Sequence, residues 1–206
     1  MAVGNVETEA KWRSDERGHD ELRARLHHAG ATHTRTVRET NTLLDSPDNL
    51  LRQRGHVLRL REVDGVHNVL TLKGRAVYRE GLKIRRETEV HVADRDAMIG
   101  ILAGIGFGVS IEYRKTRESW ELGGATVELD TLDFGRFVEI EGTQEQIRRT
   151  AKLLGLEMAE AERRGYPSMM RAHEAAARPA DIESLDAPDG SRTGVDADRA
   201  RARPPD

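Results

Sequence analysis

The sequence predicts an α+β fold: about eight strands in a largely antiparallel sheet, with a few flanking helices. Three observations predict it. About eight stretches alternate polar and apolar residues with a period of two, the period of a half-buried strand. The few helical stretches interrupt the strands without alternating with them, which argues against a parallel sheet. In most of the strands the polar face is charged, with acids or bases repeated at i and i+2.

The first strand is Val6-Glu7-Thr8-Glu9-Ala10-Lys11-Trp12, which puts Glu7, Glu9 and Lys11 on one face. A helix over Glu21–Ala29 follows, marked by Leu22, Leu26 and Ala29 and stopped by Gly30. Thr32–Asp45 is rich in β-branched Thr and reads as a strand. Ser46-Pro47-Asp48-Asn49 is turn chemistry, opening a short helical turn over Leu50 and Leu51. His56–Arg61 alternates strictly, with Arg59 and Arg61 on one face, and Asp64-Gly65 turns it back into Val69–Lys73. A glycine-flanked connection, Gly74 to Gly81, leads to a strand that places Arg85, Glu87 and Glu89 together.

Asp94 is a natural N-cap for a helix carrying Ala97, Met98, Ile101, Leu102 and Ile105. Tyr113–Arg117 makes Lys115 and Arg117 co-facial; Val127–Asp130 does the same for Glu128 and Asp130, and Phe137–Glu141 for Glu139 and Glu141. Thr143 and Gln146 form a capping box for a helix ended by Gly155. A last helix runs from about Pro167 to Ala177. From Arg178 onward the chain holds four of its six prolines and few apolar residues; the expectation is a folded domain over 1–177 and a disordered tail over 178–206.

Bulk composition narrows the function. The 206 residues are 37% apolar and 33% charged, so much polar surface has to be covered or used. A net charge of −3 provides no general attraction to nucleic acid or to an acidic membrane. The absence of cysteine excludes disulfides and thiolate metal sites. Neither a bilayer-length apolar run nor a signal-peptide pattern is present, and a cytoplasmic protein is the expectation. A homodimer stays open.

A wet outer sheet face laced with ion pairs would also produce co-facial charges. If the sheet curls into a barrel instead, the charges line its interior, where they must be hydrated, paired or liganded. Arg and Lys suit phosphate oxygens, and carboxylates suit Mg²⁺ shared with substrate phosphates. Together these are the parts of a phosphoryl-transfer site.

The ordered motifs resemble those of the CYTH family, which groups class IV adenylyl cyclases with thiamine and inorganic triphosphatases. Glu7-Thr8-Glu9-Ala10-Lys11 matches its E-x-E-x-K signature. Leu58-Arg59-Leu60-Arg61 resembles L-R-x-R, Leu70–Gly74 resembles the T-x-K strand, and Arg85–Glu89 resembles R-x-E-x-E. Lys115-Thr116-Arg117 resembles K-x-R, and Val127–Asp130 through Phe137–Glu141 resembles the L-D…G-x-F-x-E-I-E ending. The resemblance spans roughly residues 3–172.

It implies closure of the sheet into an eight-stranded β-barrel or tunnel that binds a small-molecule triphosphate with Mg²⁺ or Mn²⁺. Glu7, Glu9, Glu139 and Glu141, with Asp130 nearby, would face the metal. Lys11, Arg59, Arg61, Lys73, Arg85, Lys115 and Arg117 would hold the phosphates, and Glu7, Glu9, Lys11 and Lys73 would form the catalytic set. Triphosphate hydrolysis is the first expectation, cyclisation of ATP to cAMP the second, and non-catalytic binding of polyphosphate or nucleotide the third. The chain departs from the family where many relatives carry an aromatic pair: here the matching stretch is Leu43-Leu44-Asp45-Ser46, and Leu43 cannot help activate water.

Overall fold

The structure is a computed structural model and describes residues 5–177. The tail expected over 178–206 lies outside the described residues. The strands are β1 (Asn5–Ser14), β2 (Thr32–Asp45), β3 (Val57–Val63), β4 (His67–Lys73), β5 (Val77–Arg79), β6 (Leu82–Val92), β7 (Gly108–Leu122), β8 (Ala125–Leu132) and β9 (Gly135–Glu141). The helices are α1 (Glu16–His28), α2 (Leu50–Gln53), α3 (Arg95–Gly104), α4 (Gln144–Leu153) and α5 (Tyr166–Ala177).

All strand pairs are antiparallel, in the order β1-β9-β8-β7-β2-β3-β4-β6, and a β1–β6 pairing closes the ring. The expected eight-stranded barrel is therefore closed. The short β5 pairs only with the start of β6 and sits in the connection expected to be a plain loop. Its three residues are too few for a readable alternation.

The outward strand faces are the apolar ones. Ala10, Trp12, Val127, Leu129, Val138 and Ile140 point out of the barrel into a core shared with Leu22 and Leu26 of α1 and Ile147 and Ala151 of α4. On the other side Leu44 and Leu60 pack under Leu102 of α3. The third cluster lies at one end of the barrel: Tyr166 and Met169 of α5 meet Leu43, Tyr113, Leu132 and Phe137. Helices thus cover the outside, and the charged faces are left to the lumen.

The caps explain where the helices begin. Asp94 accepts from the Ala97 N–H, and Thr143 and Gln146 complete both halves of the capping box, as expected. Helix α1 begins five residues earlier than its apolar pattern suggests, because Asp15 caps it by accepting from the Gly18 N–H. Its charged first turn carries no apolar periodicity to read. No helix among the described residues is long and apolar enough to cross a membrane.

Candidate active site

The lumen is one cavity of about 940 Å³, and its walls are the charged strand faces. Every site residue expected from the sequence lines it except Asp130. Strand register brings acids and bases together: Glu7 pairs with Arg85, Glu9 with Lys83 and Glu141, and Lys11 with Glu139. On the far wall Arg59 is level with Thr71, which is level with Glu89.

The basic residues differ in what they have left to offer a ligand. Arg117 has nothing spare. Its Nε and Nη2 donate to the two Asp130 oxygens at 2.7 and 2.6 Å, Nη2 also reaches Glu139 at 2.6 Å, and Nη1 pairs with Glu128. Lys115 Nζ stands 3.1 Å from Asp130 and 3.4 Å from Glu39. Lys11 Nζ is 2.9 Å from Glu139 and sits 3.6 Å above the Tyr166 ring centroid. Arg85 donates to backbone carbonyls, Nε to Gly74 and Nη2 to Gly55, and so ties two loops together.

Arg59 and Arg61 are different. Arg59 has a single hydrogen bond, to the Thr71 hydroxyl at 3.3 Å, and Glu89 is 3.7 Å away. Arg61 reaches Glu39 at 3.5 Å. The Nε of each is buried with no partner. Buried donors without acceptors are costly, and the lumen is the side on which an acceptor could reach them.

Asp130 is placed apart from the other expected metal carboxylates. It is fully buried and accepts from Lys115, Arg117 and the Tyr166 hydroxyl, the last at 2.8 Å. With its oxygens already engaged beneath the cavity, it organises the cations above it.

The remaining carboxylates crowd the opposite wall. Lys73 Nζ lies 2.5 Å from Glu87 and 3.3 Å from Glu7, and Lys83 Nζ lies 2.6 Å from Glu9. Burial pushes the Glu7 carboxyl up, and the neighbouring Glu87 adds to the push. Burial would raise Glu139 too, but Lys11 and Arg117 hold it well below the carboxylate range. Burial and the negative charges of Glu7, Glu128 and Glu9 push Glu141 up to about 7. That wall carries more negative charge than its bases neutralise.

Among the described residues no three His, Cys, Asp or Glu side chains form a ready-made metal cage. The donor set still fits Mg²⁺ or Mn²⁺. Such ions take one or two carboxylates and complete their octahedron with substrate phosphates and water. A surplus of oxygen donors facing guanidiniums with an unpartnered Nε is the right chemistry for that sharing.

Several site residues lie outside the expected set. Lys83 has the same strand parity as Arg85 and could have been found from it. Glu39 alternates with Asn41 and Leu43 on β2, but only one of those three is charged, so the charge pattern breaks there. Tyr166 comes from a helix, outside any strand pattern.

A family model for the CYTH domain matches residues 5–166. No curated protein matches the chain. Among solved structures, a Vibrio parahaemolyticus protein named as a candidate adenylate cyclase is 24% identical, with a TM-score of 0.70 over 82% of this chain and 99% of that one. A Pyrococcus horikoshii protein is 26% identical, with a TM-score of 0.67 over 81% and 99%. A Hippeastrum protein, named as a candidate adenylyl cyclase and reported with a dominant triphosphatase activity, is 20% identical, with a TM-score of 0.66 over 81% and 96%.

Proposed function

This chain belongs to the CYTH domain family, and from that premise we propose that it binds a small-molecule triphosphate in its lumen and hydrolyses it with the help of Mg²⁺ or Mn²⁺. The observation that carries the reading is the pair of buried, partnerless Nε atoms on Arg59 and Arg61, facing a wall of surplus carboxylate. Planar guanidiniums suit phosphate oxygens, and charge-assisted bonds of this kind are about twice as strong as neutral ones.

In this reading Arg59 and Arg61 grip the phosphates. Lys11 and Lys73, with the carboxylates Glu7 and Glu9 beside them, orient the reacting end. Lys115 and Arg117 act from below, as fixed positive charge set by Asp130. Glu7, Glu9, Glu139 and Glu141 are the residues that would hold the ion. When bound, the ion supplies neutralisation of phosphate charge and orientation of the attacking water. The barrel walls shield the buried part of the lumen from solvent, so each charge there acts more strongly than it would outside.

Cyclisation of ATP to cAMP is the second reading, favoured by the names of the Vibrio and Hippeastrum neighbours. Against it, aromatic residues are 4% of the chain, and the Tyr78 ring at the cavity edge is already stacked by Arg163 at 5.1 Å. The Hippeastrum protein's reported triphosphatase activity fits the first reading better. The test incubates the purified chain with tripolyphosphate, thiamine triphosphate and ATP, with Mg²⁺, with Mn²⁺ and with a chelator. Metal-dependent phosphate release is expected. Cyclic AMP on chromatography would replace hydrolysis by cyclisation, and tight binding without turnover would make the protein a binder.

A further inference from the structure

The lumen continues past Arg59 to a rim under α5, and the rim is basic. Arg52 from α2, Arg75 from the β4–β5 connection and Arg171 from α5 all line the cavity. Val57, at the start of β3, packs against the cluster that holds Tyr166 and Met169, which places the Arg52 end of β3 under α5. The Arg75 side chain lies over Gly55, where an added Cβ would come within 3.2 Å of its Cγ. Among the described residues none of the three guanidiniums has a carboxylate within 4.0 Å. Other surface arginines, such as Arg54, Arg79 and Arg86, also lack one; what sets Arg52, Arg75 and Arg171 apart is that all three line the same cavity.

The rim is anchored on all three sides. Arg85 donates to Gly55 and Gly74, fixing the loops beside Arg52 and Arg75. The Tyr166 hydroxyl donates to Asp130 and fixes the start of α5, five residues before Arg171. Arg61, Arg59 and the rim then form one run of cations with free donors, longer than the lumen wall alone. A group leaving the triphosphate at this end meets three unpaired positive charges. Thiamine would bring a cationic ring to them, and a nucleoside would bring no charge.

We propose that the rim is a binding subsite for a further phosphate, so that the preferred ligand is a linear inorganic polyphosphate of more than three phosphates, its chain running out under α5. This rests on the triphosphate reading of the lumen. The experiment is calorimetry on the full chain in metal-free buffer, which prevents turnover, with sodium tripolyphosphate and sodium tetrapolyphosphate as probes. One additional phosphate held by charge-assisted bonds is expected to tighten binding about tenfold. In an Arg52→Ala/Arg75→Ala/Arg171→Ala variant, checked for folding by circular dichroism, that preference disappears while tripolyphosphate affinity stays within about threefold of wild type. Equal affinity for the two anions in the wild type overturns the subsite and leaves the lumen reading standing. So does equal weakening of both in the variant. Binding of neither anion overturns the lumen reading and the subsite with it.

Discussion

Glu39 shows what the lumen demands of one residue. It is 2% exposed, and Lys115 and Arg61 are its partners. Burial alone would raise its pKa, but Lys115, Arg117, Arg61 and Arg59 bring it from 4.5 down to about 2. A lowered acid stabilises the fold above its ordinary pKa and loses that contribution as pH falls toward the folded value. The shift corresponds to roughly 3 kcal/mol at neutral pH. Glu39→Gln should therefore unfold at lower urea than wild type at pH 7, and the gap should shrink by about half or more at pH 3. A gap independent of pH would mean that packing, and not charge, is what the substitution removed. Tyr166 is the other informative residue. Its ring supports Lys11 and its hydroxyl holds Asp130. Tyr166→Phe keeps the ring, and we expect it to leave the KM for tripolyphosphate within about threefold while costing about 1–2 kcal/mol of stability. Tyr166→Leu also removes the cation–π contact and should raise KM about tenfold. Equal KM values for the two variants would remove any role for the ring in positioning Lys11. Strand patterning finds neither residue: Glu39 lies in a strand of mostly uncharged polar residues, and Tyr166 reaches the site from a helix.

At the scale of elements, strands were legible and their ends were not. The alternation of β1, β3, β6, β8 and β9 exposes which side chains share a face, because period two leaves no other assignment once the strand is granted. The start of α1 depended on the Asp15 cap, and β5 depended on pairing with β6; both are set by contacts outside the local pattern. The β5–β6 turn offers a test of how tightly these elements meet. Gly81 has φ +82°, and an added Cβ would stand 2.5 Å from the Met158 carbonyl oxygen. Only glycine takes that backbone conformation freely, and the clash is with backbone, which cannot rotate away. Gly81→Ala should cost at least about 2 kcal/mol, read as a lowered urea midpoint with an unchanged slope. An alanine variant as stable as wild type would mean that the turn and the segment at Met158 are not packed together.

The whole molecule is a barrel turned inside out: apolar faces lie outward under helices, and the charged faces are enclosed. Co-facial charges in separate strands were visible in the sequence, but the sign of the curl was not, since the same alternation suits a wet outer face. What decides it is the apolar side. Trp12, Val127, Val138 and Ile140 need cover, and α1 and α4 supply it, which leaves the charged face no place but the lumen. Enclosure has an energetic consequence. Burial and the neighbouring positive charges of Arg59 and Arg117 depress the Arg61 pKa. Bases this crowded repel one another, and a polyanion placed among them removes the repulsion. Tripolyphosphate at a hundred times its dissociation constant should then stabilise the fold by about 2.7 kcal/mol, or about 5–10 °C in Tm for a chain of this size. The shift should appear without metal and should shrink with added salt, because part of it is unscreened only inside the barrel. An Arg59→Ala/Arg61→Ala variant should lose most of it. Arg114→Ala should keep it, since Arg114 lies on the outer face of β7 and its side chain is 78% exposed. Full stabilisation of the lumen variant, or loss of it in Arg114→Ala, would place the anion on the outer surface and detach the enclosed charges from any ligand.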